Sequence, residues 1–114
     1  MSTEAISERE FDAIADRTLR ALDKALNALE QSFEADLESG ILTIEFEDGA
    51  KYVVNSHRAA RQIWMAAERN AWHFDYRPAE DRWVAAKGGD ELWSALEGVV
   101  SRKLGEAVSL GGLR

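Results

Sequence analysis

The chain contains no cysteine. It can therefore form no disulfide, offer no thiol nucleophile, and hold no thiolate-ligated zinc or iron–sulfur cluster. Histidine is scarce, with only His57 and His73, and there is a single proline, Pro78. No apolar run approaches the ~18 residues that a membrane span needs, so no membrane association is expected. The opening Met1-Ser2-Thr3-Glu4-Ala5-Ile6 is polar and acidic, unlike a signal or transit peptide. Basic charge is in the minority, with 14 Lys and Arg against 21 Asp and Glu, a formal net charge of −7. Such a chain repels phosphate backbones, which argues against general nucleic-acid binding. The sequence also lacks G-x-x-x-x-G-K-[ST], G-x-G-x-x-G, H-E-x-x-H and G-x-S-x-G, the motifs that would announce nucleotide, zinc or serine-hydrolase chemistry.

What is present suits one globular domain spanning residues 1–114. A length of 114 residues is enough for one core and too little for two. Hydrophobic residues make up 46% and charged residues 31%, a folding rather than a disordered composition. The acidity is unevenly placed. Residues 1–48 hold thirteen acids and four bases, a net of −9, whereas residues 49–114 hold eight acids and ten bases, a net of +2. The first segment is thus either a solvated charged face or a surface for cations or a basic partner.

Residues 7–30 carry helical periodicity. Phe11, Ile14, Ala15, Thr18, Leu22, Ala25, Leu26 and Leu29 fall on one stripe. Ser7 with Glu10 reads as a capping box, and Ile6 with Phe11 as a hydrophobic staple. Glu8, Asp12, Asp16, Asp23 and Glu30 form an acidic rail opposite that stripe, diluted by Arg9 and Arg20. From residue 33 the period becomes two. Strands are expected over 33–38, 41–47, 51–55, 61–66, 72–76 and 82–86, with turns at Ser39-Gly40, Asp48-Gly49 and around Pro78. After Gly88-Gly89, Asp90 can cap a second helix whose buried stripe is Leu92, Leu96, Val99 and Val100 and which ends at Gly105. Val108 and Leu110 can pack the tail. Short loops favour antiparallel pairing. The expected fold is α+β: a two-layer sandwich with N- and C-terminal helices on one face of an antiparallel sheet of about six strands. The order α, strands, α also differs from the alternating order of ferredoxin-like and RNA-recognition domains.

Few residues suggest chemistry. Ser56 beside His57 is adjacency in sequence, not triad geometry, and no catalytic residue is assigned. His73 shares a strand face with Asp75 and reads as a surface histidine, with a metal ligand as the alternative. Carboxylates of the rail can hold hard cations weakly and with little selectivity. If Ile63 and Met65 face the core, Gln62 and Trp64 face outward. Trp64 then either anchors a partner or packs flat on its strand neighbours.

Several segments carry a specific likeness. Gly40-Ile41-Leu42-Thr43-Ile44-Glu45-Phe46, the turn at Asp48-Gly49, Val53-Val54-Asn55, Gln62-Ile63-Trp64-Met65-Ala66, His73-Phe74 and Trp83 together resemble the bacterial frataxin family (the CyaY type) over about residues 8–108. The Q-I-W stretch with its upstream Asn is the most specific part. Departures are a Ser56–Arg61 loop where the family usually has Gln-x-Pro, Asn70-Ala71-Trp72 where it often has Gly-Gly, and Lys87 in place of an Arg. Lys24, Asn27 and Gln31 also make the end of the first helix less acidic than is usual.

The resemblance implies the two-layer fold already reached from periodicity. It implies a non-enzymatic, cytoplasmic accessory of iron–sulfur cluster assembly that binds Fe2+ or Fe3+ weakly and regulates the process. It further implies partners, a cysteine desulfurase facing the acidic ridge and a scaffold protein facing the sheet. A monomer is implied, with iron-induced oligomers as a variant. Carried over by position, the ridge is Asp12, Asp16, Asp23, Glu30, Glu34, Asp36 and Glu38, of which Asp16, Asp23, Glu34 and Asp36 match the family's acidic positions. The partner-binding sheet group is Asn55, Gln62 and Trp64. An iron chaperone or storage protein, and a ferroxidase enzyme, are the alternative functions.

Overall fold

A computed structural model describes residues 6–111. The first helix, α1, runs Glu8–Asn27. The Ser7 hydroxyl accepts from the Glu10 N–H, and the Glu10 carboxylate accepts from the Ser7 N–H at 2.9 Å, the reciprocal box expected of this sequence. Six strands follow: β1 Phe33–Glu38, β2 Ile41–Phe46, β3 Lys51–His57, β4 Gln62–Ala67, β5 Asn70–Arg77 and β6 Arg82–Ala85. They form one sheet in the order β1-β2-β3-β4-β5-β6, every pair antiparallel. The second helix, α2, spans Leu92–Leu104. Neither helix is long and apolar enough to cross a membrane.

The alternation of each strand decides what lies in the core. Leu42, Ile44, Phe46, Tyr52, Val54, Ile63, Met65, Phe74, Trp83 and Ala85 point to the helices and are buried. They meet Phe11, Ala15, Leu19, Leu22 and Leu26 of α1 and Leu92, Leu96, Val99 and Val100 of α2 in a single cluster. Leu19, absent from the expected stripe, is fully buried; the stripe is wide enough to take it beside Thr18. Thr18 is the one polar side chain of the core among the described residues. Its hydroxyl donates to the Ile14 carbonyl at 2.9 Å and accepts from the Trp83 indole N–H at 3.0 Å. Trp83 also meets Phe11 edge-on. This joins α1 to the last strand of the sheet.

Three expected boundaries are corrected. The first helix stops at Asn27, not Glu30. Asn27 donates from its side chain to the Asp23 carbonyl, in competition with the helix's own pattern, and also toward the Ala35 carbonyl of β1. Glu30 then takes a left-handed backbone (φ 35°) to turn the chain toward β1. The cap of α2 is Glu91 rather than Asp90. The Asp90 carbonyl accepts from Ala85 N–H, and Val84 bridges Glu91, so the chain stays beside β6 through residue 91. The Glu91 carboxylate then accepts from the Trp93 and Ser94 N–H groups. Finally β3 extends to His57, which places that side chain in the sheet rather than in a loop. Gly105 ends α2 with φ 77°, as expected, and the tail packs through Leu110, whose N–H donates to Glu97.

The β2–β3 turn is fastened to α2. Lys103 donates to the Asp48 carboxylate, which also accepts from the Ala50 N–H. The Lys103 hydrogen bond, with the Ala50 N–H second, holds the Asp48 carboxyl below the usual carboxylate range. Because the folded value lies below the unfolded one, this contribution to stability is present above the unfolded carboxylate pKa and fades as pH falls through the folded value. Lys103→Met should move the Asp48 titration upward, as read by carboxyl NMR.

Burial separates the tryptophans. Trp83→Ala should cost about 3–5 kcal/mol in urea denaturation, the range for a truncated buried aromatic. Thr18→Val, which leaves the Trp83 N–H without an acceptor, should cost about 1–3 kcal/mol. Trp64→Ala, outside the core, should cost far less than Trp83→Ala in the same assay.

Candidate functional site

Two surfaces stand outside the core: the acids of α1 and β1, and the open face of the sheet. On α1 the expected rail is largely paired. Arg58 approaches Asp12 at 3.3 Å and Glu8 at 3.5 Å, and Arg61 approaches Glu8 at 3.9 Å. Both arginines come from the segment joining β3 to β4, a single 3-10 turn over Arg58–Ala60. Arg20 pairs with Asp16 one turn away at 2.7 Å. Asp23 is half-buried and accepts from the Asn27 amide at 2.9 Å. Exposed pairs like these are worth about 0–1 kcal/mol each, but they lower the net negative potential along the helix.

The acids of β1 differ. Glu34, Asp36 and Glu38 are exposed, on the side of the strand away from the helices, since Phe33, Ala35 and Leu37 point inward. With Glu30 just before the strand, they make no ion pair among the described residues. Glu34 lies directly across from Glu45 of β2, a like-charge pair that raises the local field. The structure thus separates the predicted ridge into a helical part, where Asp12 and Asp16 are paired with arginines and Asp23 only accepts from the neutral Asn27 amide, and a part without ion pairs among the described residues at the edge strand (Glu30, Glu34, Asp36, Glu38). Glu30 sits in the turn rather than on the helix. Among the described residues no three His, Asp or Glu side chains converge as a ready-made metal site.

The open face of the sheet carries the second group. Ile63 and Met65 are buried, so Gln62 and Trp64 face outward, as the alternation requires. Register places Asn55 and His73 on either side of Trp64, and His57 and Asp75 on either side of Gln62. The Trp64 indole N–H donates to Gln62 Oε1 at 2.8 Å, and the Gln62 amide donates to Asp75 Oδ1 at 3.0 Å. Asn55 donates instead to the Ser56 carbonyl at 3.2 Å. The half-buried Trp64 lies between two imidazoles: His57 stacks at 3.7 Å with 11° between the planes, and His73 at 4.3 Å with 16°. Asn55, Gln62 and Trp64, grouped from the sequence, lie on one face of the sheet, and His57 and His73, to which the sequence assigns no role, join them there. The signal was available for His73, directly across from Trp64. For His57 it was hidden, because its reach to Trp64 is a diagonal contact that exists only if β3 continues two residues past Asn55.

Comparison with known proteins agrees with this architecture. Residues 4–106 match the model of the Frataxin-like domain. An iron-sulfur cluster assembly protein CyaY from Cupriavidus metallidurans is 37% identical over 109 residues, covering 92% of this chain and 96% of that protein. A protein of the same name from Tolumonas auensis is 30% identical, covering 93% and 100%. Among solved structures, the frataxin from Psychromonas ingrahamii superposes with a TM-score of 0.84 at 25% identity, covering 92% of this chain and 98% of that one. The trimeric yeast frataxin complexed with ferrous iron superposes with a TM-score of 0.63 at 24% identity, covering 92% of each chain, a likeness of fold. Six antiparallel strands, two helices on one face and a match over nearly the whole length lead to one assignment: the chain belongs to the frataxin-like family, in its bacterial CyaY group.

Proposed function

We propose that this protein is a non-enzymatic, regulatory iron-binding accessory of iron–sulfur cluster assembly in the cytoplasm. It docks on a cysteine desulfurase through its acidic edge and turns its open sheet face toward the scaffold protein. The observation that carries this reading is the set of uncompensated carboxylates at Glu30, Glu34, Asp36 and Glu38, beside a sheet face with an ordered Trp64. The names of its CyaY relatives support the pathway. A basic partner surface gains most where negative charge has no internal partner, so the β1 edge contributes more to docking than Asp12 or Asp16. Fe2+ is cargo bound by exposed carboxylate oxygens alone. Such sites bind weakly and exchange quickly, and they discriminate little among divalent cations.

Two experiments test this. Anaerobic titration with Fe2+, or with Mn2+ as a probe, should broaden NMR amides near Glu34 and Asp36 first and those near Asp16 and Asp23 later, with no saturating tight site. The same cations should raise the melting temperature by relieving the crowding of like charges. Tight binding centred on His57 or His73 would overturn the metal assignment.

Charge reversal tests the docking surface. Glu34→Lys with Asp36→Lys should weaken desulfurase binding at least ten-fold at low salt. Asp16→Lys with Asp23→Lys should weaken it by a smaller factor. Raising salt should erode wild-type binding, because the Debye length falls to about 10 Å at 0.1 M. Unchanged affinity for both double variants would exclude this surface.

A further inference from the structure

Neither imidazole of the His57–Trp64–His73 stack has a hydrogen bond or ion pair among the described residues, and His57 Nδ1 is buried without a partner. Their one shared contact is the indole. Trp64 in turn is held from its own strand by Gln62, which Asp75 orients. The three rings stand on three neighbouring strands, near-parallel, so both faces of the indole are covered and its edge remains for an incoming surface. An indole free to change rotamer would have to be ordered by its partner on binding, at an entropic cost that a preset ring avoids.

We propose that His57 and His73 are positioning residues that clamp Trp64 in one orientation, so that the sheet face presents a preformed aromatic docking element to the scaffold protein. This rests on the sheet-face reading above. The clamp depends on flat rings, since stacked aromatic pairs contribute beyond the area they bury. Hydrogen bonding by the imidazoles is not required. The groups facing the stack fit that role. Gln62 and Asp75 lie along the next row of the sheet, and Arg58 and Arg61 next to His57 are turned to Glu8 and Asp12.

The test compares His57→Leu and His73→Leu with His57→Phe and His73→Phe. None of these positions lies in the buried core, and equal urea midpoints would confirm that the fold is intact. Two readouts are taken: the Trp64 indole N–H resonance, assigned by its loss in Trp64→Phe, and affinity for the purified desulfurase–scaffold complex. Each Leu variant should shift and broaden the indole resonance and weaken binding about five-fold. Each Phe variant should keep a sharp resonance and stay within two-fold of wild type. An unmoved indole resonance in both Leu variants would overturn the clamp whatever the partner does. Phe variants that lose as much as the Leu variants would overturn it too, by showing that imidazole chemistry rather than stacking matters. If Trp64→Ala binds the complex as wild type does, the sheet-face reading itself fails, and the resonance alone then decides whether the clamp exists.

Discussion

Ile63 and Met65 are buried in the core, and β4 cannot slip by one residue without turning both into solvent and Trp64 inward. That single register constraint organises the open face. β4 is paired on both sides, so its neighbours inherit the phase: Asn55 and His57 on β3, His73 and Asp75 on β5. The aromatic stack, the Gln62 bridge and the orientation of the β1 acids all follow from the same alternation carried outward through hydrogen-bonded pairs. The helices add a second constraint, because the Thr18–Trp83 hydrogen bond ties α1 to β6, at the opposite side of the sheet from β1.

Charge behaves differently from burial. In the sequence the acids are concentrated in residues 1–48 and most of the bases come after them, but folding brings Arg58 and Arg61 back against Glu8 and Asp12. What remains is a narrow acidic edge rather than a long rail. Exposed carboxylates at an edge strand have a further effect: they discourage pairing of that strand with another chain, since a row of like charge repels its own copy. The same residues can therefore protect the free protein from edge-to-edge association and attract a basic surface or a cation.

The tryptophans divide the work of the molecule. Trp83 and Trp93 are buried, and each uses its bulk to join elements. Trp64 contributes to neither the core nor a fully free surface. It is enclosed by two stacked rings and a hydrogen bond, which is an ordered surface rather than an apolar patch.

Periodicity by itself determined the fold class, the six strands, the helix stripes and the outward direction of Gln62 and Trp64. These rest on local rules: side chains alternate on a strand, recur every 3.6 residues on a helix, and caps and turns have short signatures. Quotable residues such as Ser7 with Glu10, and Ser39-Gly40, behave as their neighbours in sequence dictate. The tertiary structure decided everything that depends on distant partners. Asn27, the last residue of the first helix, reaches across to the Ala35 carbonyl of β1, and Glu91 displaces Asp90 as cap where Val84 bridges it. Glu8 and Asp12 on α1 are paired with arginines more than forty residues away, and His57 finds Trp64 only across a strand boundary. No local rule encodes such contacts, because their energy depends on which side chain the completed sheet and helices bring alongside.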